Sequence, residues 1–188
     1  MKFRRIFSKQ GSQKFRAVCY PGDCSKGRRA DIFSKLFNCW NDTMYLQQFL
    51  VENQSLLTTS GGKNMSVDEA IDQILDEANL FERHLRQIEN REPGYENLNL
   101  QDMFRPLNED VHVLQASNII PDNHFPGWLV PRLQIYAIVL EDYFIVTGGA
   151  ICSDGPMVLT STEKGKIDRV RSYFKKSLVA VVPATDEH

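Results

Sequence analysis

The feature that most constrains this chain is a pair of apolar runs with a two-residue break between them. Arg132-Leu133-Gln134-Ile135-Tyr136-Ala137-Ile138-Val139-Leu140 leads through Glu141-Asp142 into Tyr143-Phe144-Ile145-Val146-Thr147. β-Branched and aromatic residues dominate both runs, and the acidic pair between them fits a tight turn. Near their middle the runs are apolar on both faces. A strand of that kind has to be covered on both sides. The sequence therefore predicts an antiparallel hairpin, residues 132–140 with 143–151, at the centre of a sheet. Gly148-Gly149 follows directly and predicts a bulge or a close approach of another backbone. It is no phosphate loop, because neither the Walker spacing nor G-x-G-x-x-G is present.

The strongest helix signal is Ser66-Val67-Asp68-Glu69, a capping-box sequence. Behind it Val67, Ala70, Ile71, Ile74, Leu75, Ala78, Phe81, Leu85 and Ile88 form one apolar stripe, and Pro93-Gly94 stops the run. A helix over 67–90, packed near the hairpin, follows. Shorter helices are predicted over 31–40, with Ile32, Leu36, Phe37 and Trp40 on one side, and over about 43–53, with Met44, Leu46, Phe49 and Leu50 inward. Asn41 or Asp42 can cap the second of these.

Residues 3–7 and 14–20 are β-prone and predict an N-terminal hairpin or one irregular strand. Residues 95–128 read as irregular. Residues 163–176 predict a last helix, with Ile167, Val170 and Phe174 inward and its basic residues outward. Leu178 to Pro183 suggests an edge strand. The fold class that results is α+β: a small antiparallel sheet with a central hairpin, packed against two or three helices in one domain over 1–188. Trp40, Phe81, Leu85, Leu133, Ile135, Ile145 and Phe174 are the expected core.

Hydrophobic residues make up 42% of the chain and charged residues 24%, enough to build a core without disulfides. No apolar run approaches the roughly 20 residues of a membrane span. No long apolar stretch follows the basic start, so no secretory signal is expected and a cytoplasmic location is. Of the cysteines, Cys19 and Cys24 lie close together while Cys39 and Cys152 are lone, which is no zinc pattern. His84, His112, His124 and His188 are scattered. No metal and no cofactor are expected.

Charge is unevenly spread behind a formal net charge of -2. Lys2, Arg4, Arg5, Lys9, Lys14, Arg16, Lys26, Arg28 and Arg29 crowd the start, against Asp23. Acids dominate residues 66–110. Lys164, Lys166, Arg169, Arg171, Lys175 and Lys176 make the last predicted helix basic again. If the two basic ends meet in the fold, they form one surface that attracts phosphates and loses affinity with salt. The alternative is that they neutralise the acidic middle.

The hairpin with its flanks also carries a resemblance. Arg132-Leu133-Gln134-Ile135-Tyr136-Ala137-Ile138, then Thr147-Gly148-Gly149-Ala150-Ile151, then a basic helix, resembles a long subgroup of RelE/ParE-like toxins of bacterial type II toxin–antitoxin systems. Phe104-Arg105-Pro106-Leu107-Asn108 and Leu36-Phe37-Asn38-Cys39-Trp40-Asn41-Asp42 resemble that group too. After Ile151 the chain departs from it, with Cys152-Ser153-Asp154-Gly155-Pro156-Met157. The resemblance implies a RelE-like fold in which helix 67–90 and the loop to Trp128 are elaborations.

It also implies metal-independent, ribosome-associated cleavage of mRNA. Such chemistry needs cations around a phosphate and a group that moves protons. Arg132, Arg169, Arg171 and Tyr173 are the candidate catalytic residues. Lys164, Lys166, Lys175 and Lys176 are candidate nucleic-acid contacts. The implied partners are a helix-turn-helix antitoxin and the ribosome or mRNA. Two other functions remain open on the residues alone: a non-catalytic toxin-fold protein that binds a protein partner, and a nucleic-acid-binding accessory protein.

Overall fold

The computed structural model describes residues 1–6, 15–20, 31–58, 62, 64–120, 132–140, 143–152 and 159–179, and the backbone alone over 175–179. The strands are β1 (Lys2–Arg5), β2 (Phe15–Cys19), β3 (Arg105–Pro106), β4 (Val111–Gln115), β5 (Arg132–Leu140) and β6 (Tyr143–Cys152). The helices are α1 (Ile32–Trp40), α2 (Thr43–Glu52), α3 (Val67–Glu89), the short α4 (Leu100–Met103) and α5 (Ser161–Val179). One six-stranded sheet runs in the order β1-β2-β6-β5-β4-β3. The β5–β6 hairpin holds its two central places, as its two-sided apolar character requires. Every pairing is antiparallel except β2 with β6, which is parallel. The sheet is therefore mixed rather than wholly antiparallel.

Register assigns each side chain to a face. Gly149 lies against Leu36 of α1, and Gly148 against Glu163 of α5. Adjacent residues of a strand point to opposite faces. Helix α1 thus packs on one face and α5 on the other. Phe15, Phe144 and Phe104 stack on the α1 face, with centroids 5.2–5.9 Å apart. Both faces of β5 are consequently buried from Leu133 to Ile138.

The bulge expected near Gly148 falls one residue earlier. Tyr136 pairs with Gly148 and Ala137 with Val146, so Thr147 is the extra residue. The Tyr20 hydroxyl donates to the Thr147 carbonyl at 2.8 Å and pins it. At Gly149 a Cβ would lie 2.6 Å from the Gln134 carbonyl oxygen, so only glycine fits there.

Helix α3 begins with both halves of its capping box formed. Phe81 and Leu85 are buried, together with Trp40, Leu133, Ile135 and Ile145. Four expectations need correction. Phe174 is only half-buried, because it closes the α5 face against Phe3 rather than entering the core. Met44 is 73% exposed, because Leu46 and Leu50 supply the inward side of α2. Residues 95–128 are not irregular throughout: Val111-His112-Val113-Leu114-Gln115 is a strand that pairs along β5. The helix expected over 163–176 runs Ser161–Val179 and absorbs Leu178 and Val179. The rest of the proposed edge strand lies outside the described residues.

Candidate nucleic-acid interface

Helix α5 starts on a local signal. Glu163 N donates to Thr160 Oγ1 at 3.2 Å, and Thr160 Oγ1 to Glu163 Oε2 at 3.1 Å. This is the Thr-x-x-Glu form of an N-terminal cap. Glu163 also accepts from Lys166 Nζ at 2.8 Å. Its carboxylate sits above Gly148, where a Cβ would lie 3.1 Å from Oε1 and press on it. The helix then runs back along the hairpin. Arg171 reaches Asp110, just before β4, by a pair of hydrogen bonds, and Asp168 Oδ1 at 2.9 Å. Near the far end Tyr173 and Phe174 pack on Phe3 of β1, with centroids 5.6 and 4.9 Å away.

The candidate residues are thereby divided. Lys166 and Arg171 are engaged with carboxylates, whereas Lys164 and Arg169 are exposed. Arg132 opens β5 opposite Cys152, near the end of the hairpin that underlies the start of α5. Tyr173 is ten residues further along α5 than Glu163, about 15 Å at 1.5 Å per residue. Arg132 and Tyr173 therefore stand at opposite ends of the surface. Lys175 and Lys176 continue the helix, and their side chains lie outside the described residues.

Two ionisable groups near Arg132 are held neutral. Burial, then Cys152 and Glu163, pushes the Tyr136 phenol well above its ordinary range. Burial likewise raises the Cys152 thiol, with Glu163 adding to it and the hydrogen bond to Tyr136 opposing it. The Tyr136 hydroxyl meets Gln134 Oε1 at 3.3 Å and Cys152 Sγ at 3.9 Å. A protonated thiol is a poor nucleophile, so this end is polar but not activated. At the other end, hydrogen bonding to Arg171 holds the Asp110 carboxyl below its ordinary range.

A cleft of 480 Å³ lies between α1, α2, β6 and the start of α5, lined by Leu36, Cys39, Tyr45, Gly149, Glu163 and Lys166 among others. Burial raises both the Cys39 thiol and the Tyr45 phenol. Among the described residues no cluster of His, Cys, Asp or Glu could hold a metal ion. No described helix is long and apolar enough to cross a membrane.

Comparisons with protein-family models, curated proteins and solved structures found no match.

The sequence reading counted Arg5 and Arg16 in the basic start without pairing them, and gave Tyr143 no part in this surface. Arg5, Arg16 and Tyr143 lie on the α5 face, with Arg5 directly opposite Arg16 and the Arg16 guanidinium 5.5 Å from the Tyr143 ring centroid. Which residues of the basic start face one another becomes readable only once the β1–β2 register is set.

Proposed function

We propose that this chain is the toxin-like component of a type II toxin–antitoxin system, acting as a metal-independent, ribosome-associated mRNA endonuclease of RelE-like fold. The reading draws on the resemblance in the hairpin and on the order of elements: a strand, a helical pair, a central antiparallel hairpin and a basic last helix. The single observation that carries it is the seat of Phe3 on Tyr173 and Phe174. That contact joins the basic start of the chain to its basic last helix. Lys164 and Arg169 then face solvent on the same side as Arg5 and Arg16. Such a surface binds phosphates, and the acidic helix α3 lies on the opposite face of the sheet.

In this reading Arg169 and Tyr173 meet the RNA, and Arg171 holds the helix in place through Asp110. Arg132 stands at the other end and contacts a different stretch of the strand. The test is expression with and without the neighbouring gene, scoring growth and mRNA integrity. Growth arrest with cleaved mRNA, relieved by the neighbour, is expected. Growth arrest with intact mRNA would remove the nuclease.

A second reading, a non-catalytic partner-binding protein, is favoured by α2. Met44 and Val51 are 73% and 53% exposed. Their spacing of seven puts them on one side of the helix. An apolar antitoxin segment fits that side. Met44→Glu with Val51→Glu is expected to abolish rescue by the neighbouring gene while leaving the arrest itself intact. Full rescue of this variant would exclude α2 as the antitoxin surface.

A further inference from the structure

The N-terminal hairpin sets two like charges directly opposite each other. Arg5 of β1 pairs with Arg16 of β2, and both side chains rise from the α5 face. Directly opposed side chains start about 5 Å apart, and like charges so placed destabilise a sheet. Among the described residues neither arginine's side chain makes an ion pair or a hydrogen bond. An anion between them would turn the repulsion into a clamp.

Their neighbours on this face are aromatic. The Arg16 guanidinium lies 5.5 Å from the Tyr143 ring centroid. Phe3, two residues before Arg5 and on the same face, meets Tyr173 edge-on. Tyr173, Phe3, Arg5, Arg16 and Tyr143 therefore follow one another across the surface. Tyr143 and Tyr173 are 41% and 38% exposed, unlike the buried Tyr136. From strand spacing and rise, Phe3 to Tyr143 spans about 16 Å, the reach of a few nucleotides.

We infer that this track is a binding site for single-stranded RNA, in which Arg5 and Arg16 clamp one phosphate while Tyr143 and Tyr173 stack on flanking bases. Cations interleaved with exposed rings are what an unpaired strand uses, because every base has a face to stack. An acidic peptide would use the arginines and leave the rings idle. The choice of RNA rests on the functional reading above, whereas the anion clamp rests only on the hairpin register.

The experiment is anisotropy of a labelled oligouridylate titrated with the whole chain over a range of salt. Arg5→Gln with Arg16→Gln is expected to weaken binding at least tenfold. It should also make the slope of log affinity against log salt shallower by about 0.7, the contribution of the one phosphate they clamp. Tyr143→Ala is expected to weaken binding about tenfold and leave the slope unchanged. Arg16→Gln alone should raise the melting temperature, because it relieves the repulsion. An unchanged affinity and slope in the arginine double variant overturns the clamp. If Tyr143→Ala and Tyr173→Ala are both silent while inorganic polyphosphate competes fully, the site takes a bare polyanion and the RNA assignment falls. The toxin reading fails separately, as loss of growth arrest in a chain that still binds the oligonucleotide.

Discussion

Helices α3 and α5 lie on opposite faces of the same sheet and are held there by different means. Helix α3 has a complete capping box and a continuous apolar stripe that buries Ala70, Ile71, Ile74, Ala78, Phe81, Leu85 and Ile88. Helix α5 buries Ile167 and Val170, then relies on Arg171 with Asp110 and a half-buried Phe174 on Phe3, while Lys166 pairs with Glu163 inside the helix. A helix secured by burial can be read from its own residues. A helix secured by ion pairs looks, in sequence, like a surface free to bind something else. Of the cations that made α5 appear as a phosphate-binding face, Arg171 fastens it to Asp110 instead and Lys166 is spent on Glu163 of the same helix.

The largest expected effect sharpens the α3 side of this contrast. Leu85→Ala should lose about 2–5 kcal/mol, since it removes a fully buried side chain. Denaturant melts measure it, and a loss under about half a kcal/mol would take Leu85 out of the core. Next come a glycine beneath α1 and one within α5. Gly149→Ala should cost about 1–3 kcal/mol, because its Cβ would lie 2.6 Å from a backbone oxygen and 2.9 Å from Leu36 Cδ1. Gly165→Ala on α5 meets nothing within 4 Å and should stabilise by about 0.5–1 kcal/mol. Thermal melts of the pair should therefore move in opposite directions.

The smallest effect tests the fastening of α5. Asp110→Asn should lose up to about 1 kcal/mol at neutral pH, a modest figure because both partners are about a third exposed. The Asp110 carboxyl is depressed, so its contribution is present above the ordinary 3.8 and is lost as pH falls through the folded value. The gap between variant and parent should close below that point. A gap that persists unchanged into acid would mean that charge pairing is not what the residue supplies.

Much of the fold was legible because it is written in local patterns. The hairpin's place followed from its apolar faces, and α3 from Ser66-x-x-Glu69 and its stripe. The start of α5 was equally legible in Thr160-x-x-Glu163, and reading the helix from its charges instead placed its beginning two residues late. Strand β4 was missed because it is short and bounded by loops, and its pairing with β5 is what makes it a strand. The parallel contact of β2 with β6 is set by chain path, which no local pattern records. For the candidate site, the basic character of both ends was visible. That Arg171 is spent on Asp110, and that Arg5 faces Arg16, depends on contacts that no local pattern records.

The central claim is that the outer side of α5, with the N-terminal hairpin, meets RNA, while Lys166 and Arg171 are tied to carboxylates. Lys164→Glu with Arg169→Glu tests it most directly, because both residues are exposed and neither fastens the helix. The measurement is RNA affinity across salt, beside a denaturant melt of the same protein. The account predicts stability within about half a kcal/mol of the parent, together with a large loss of affinity and a shallower salt slope. A double variant that is equally stable and binds RNA with the parent's affinity and slope would contradict it.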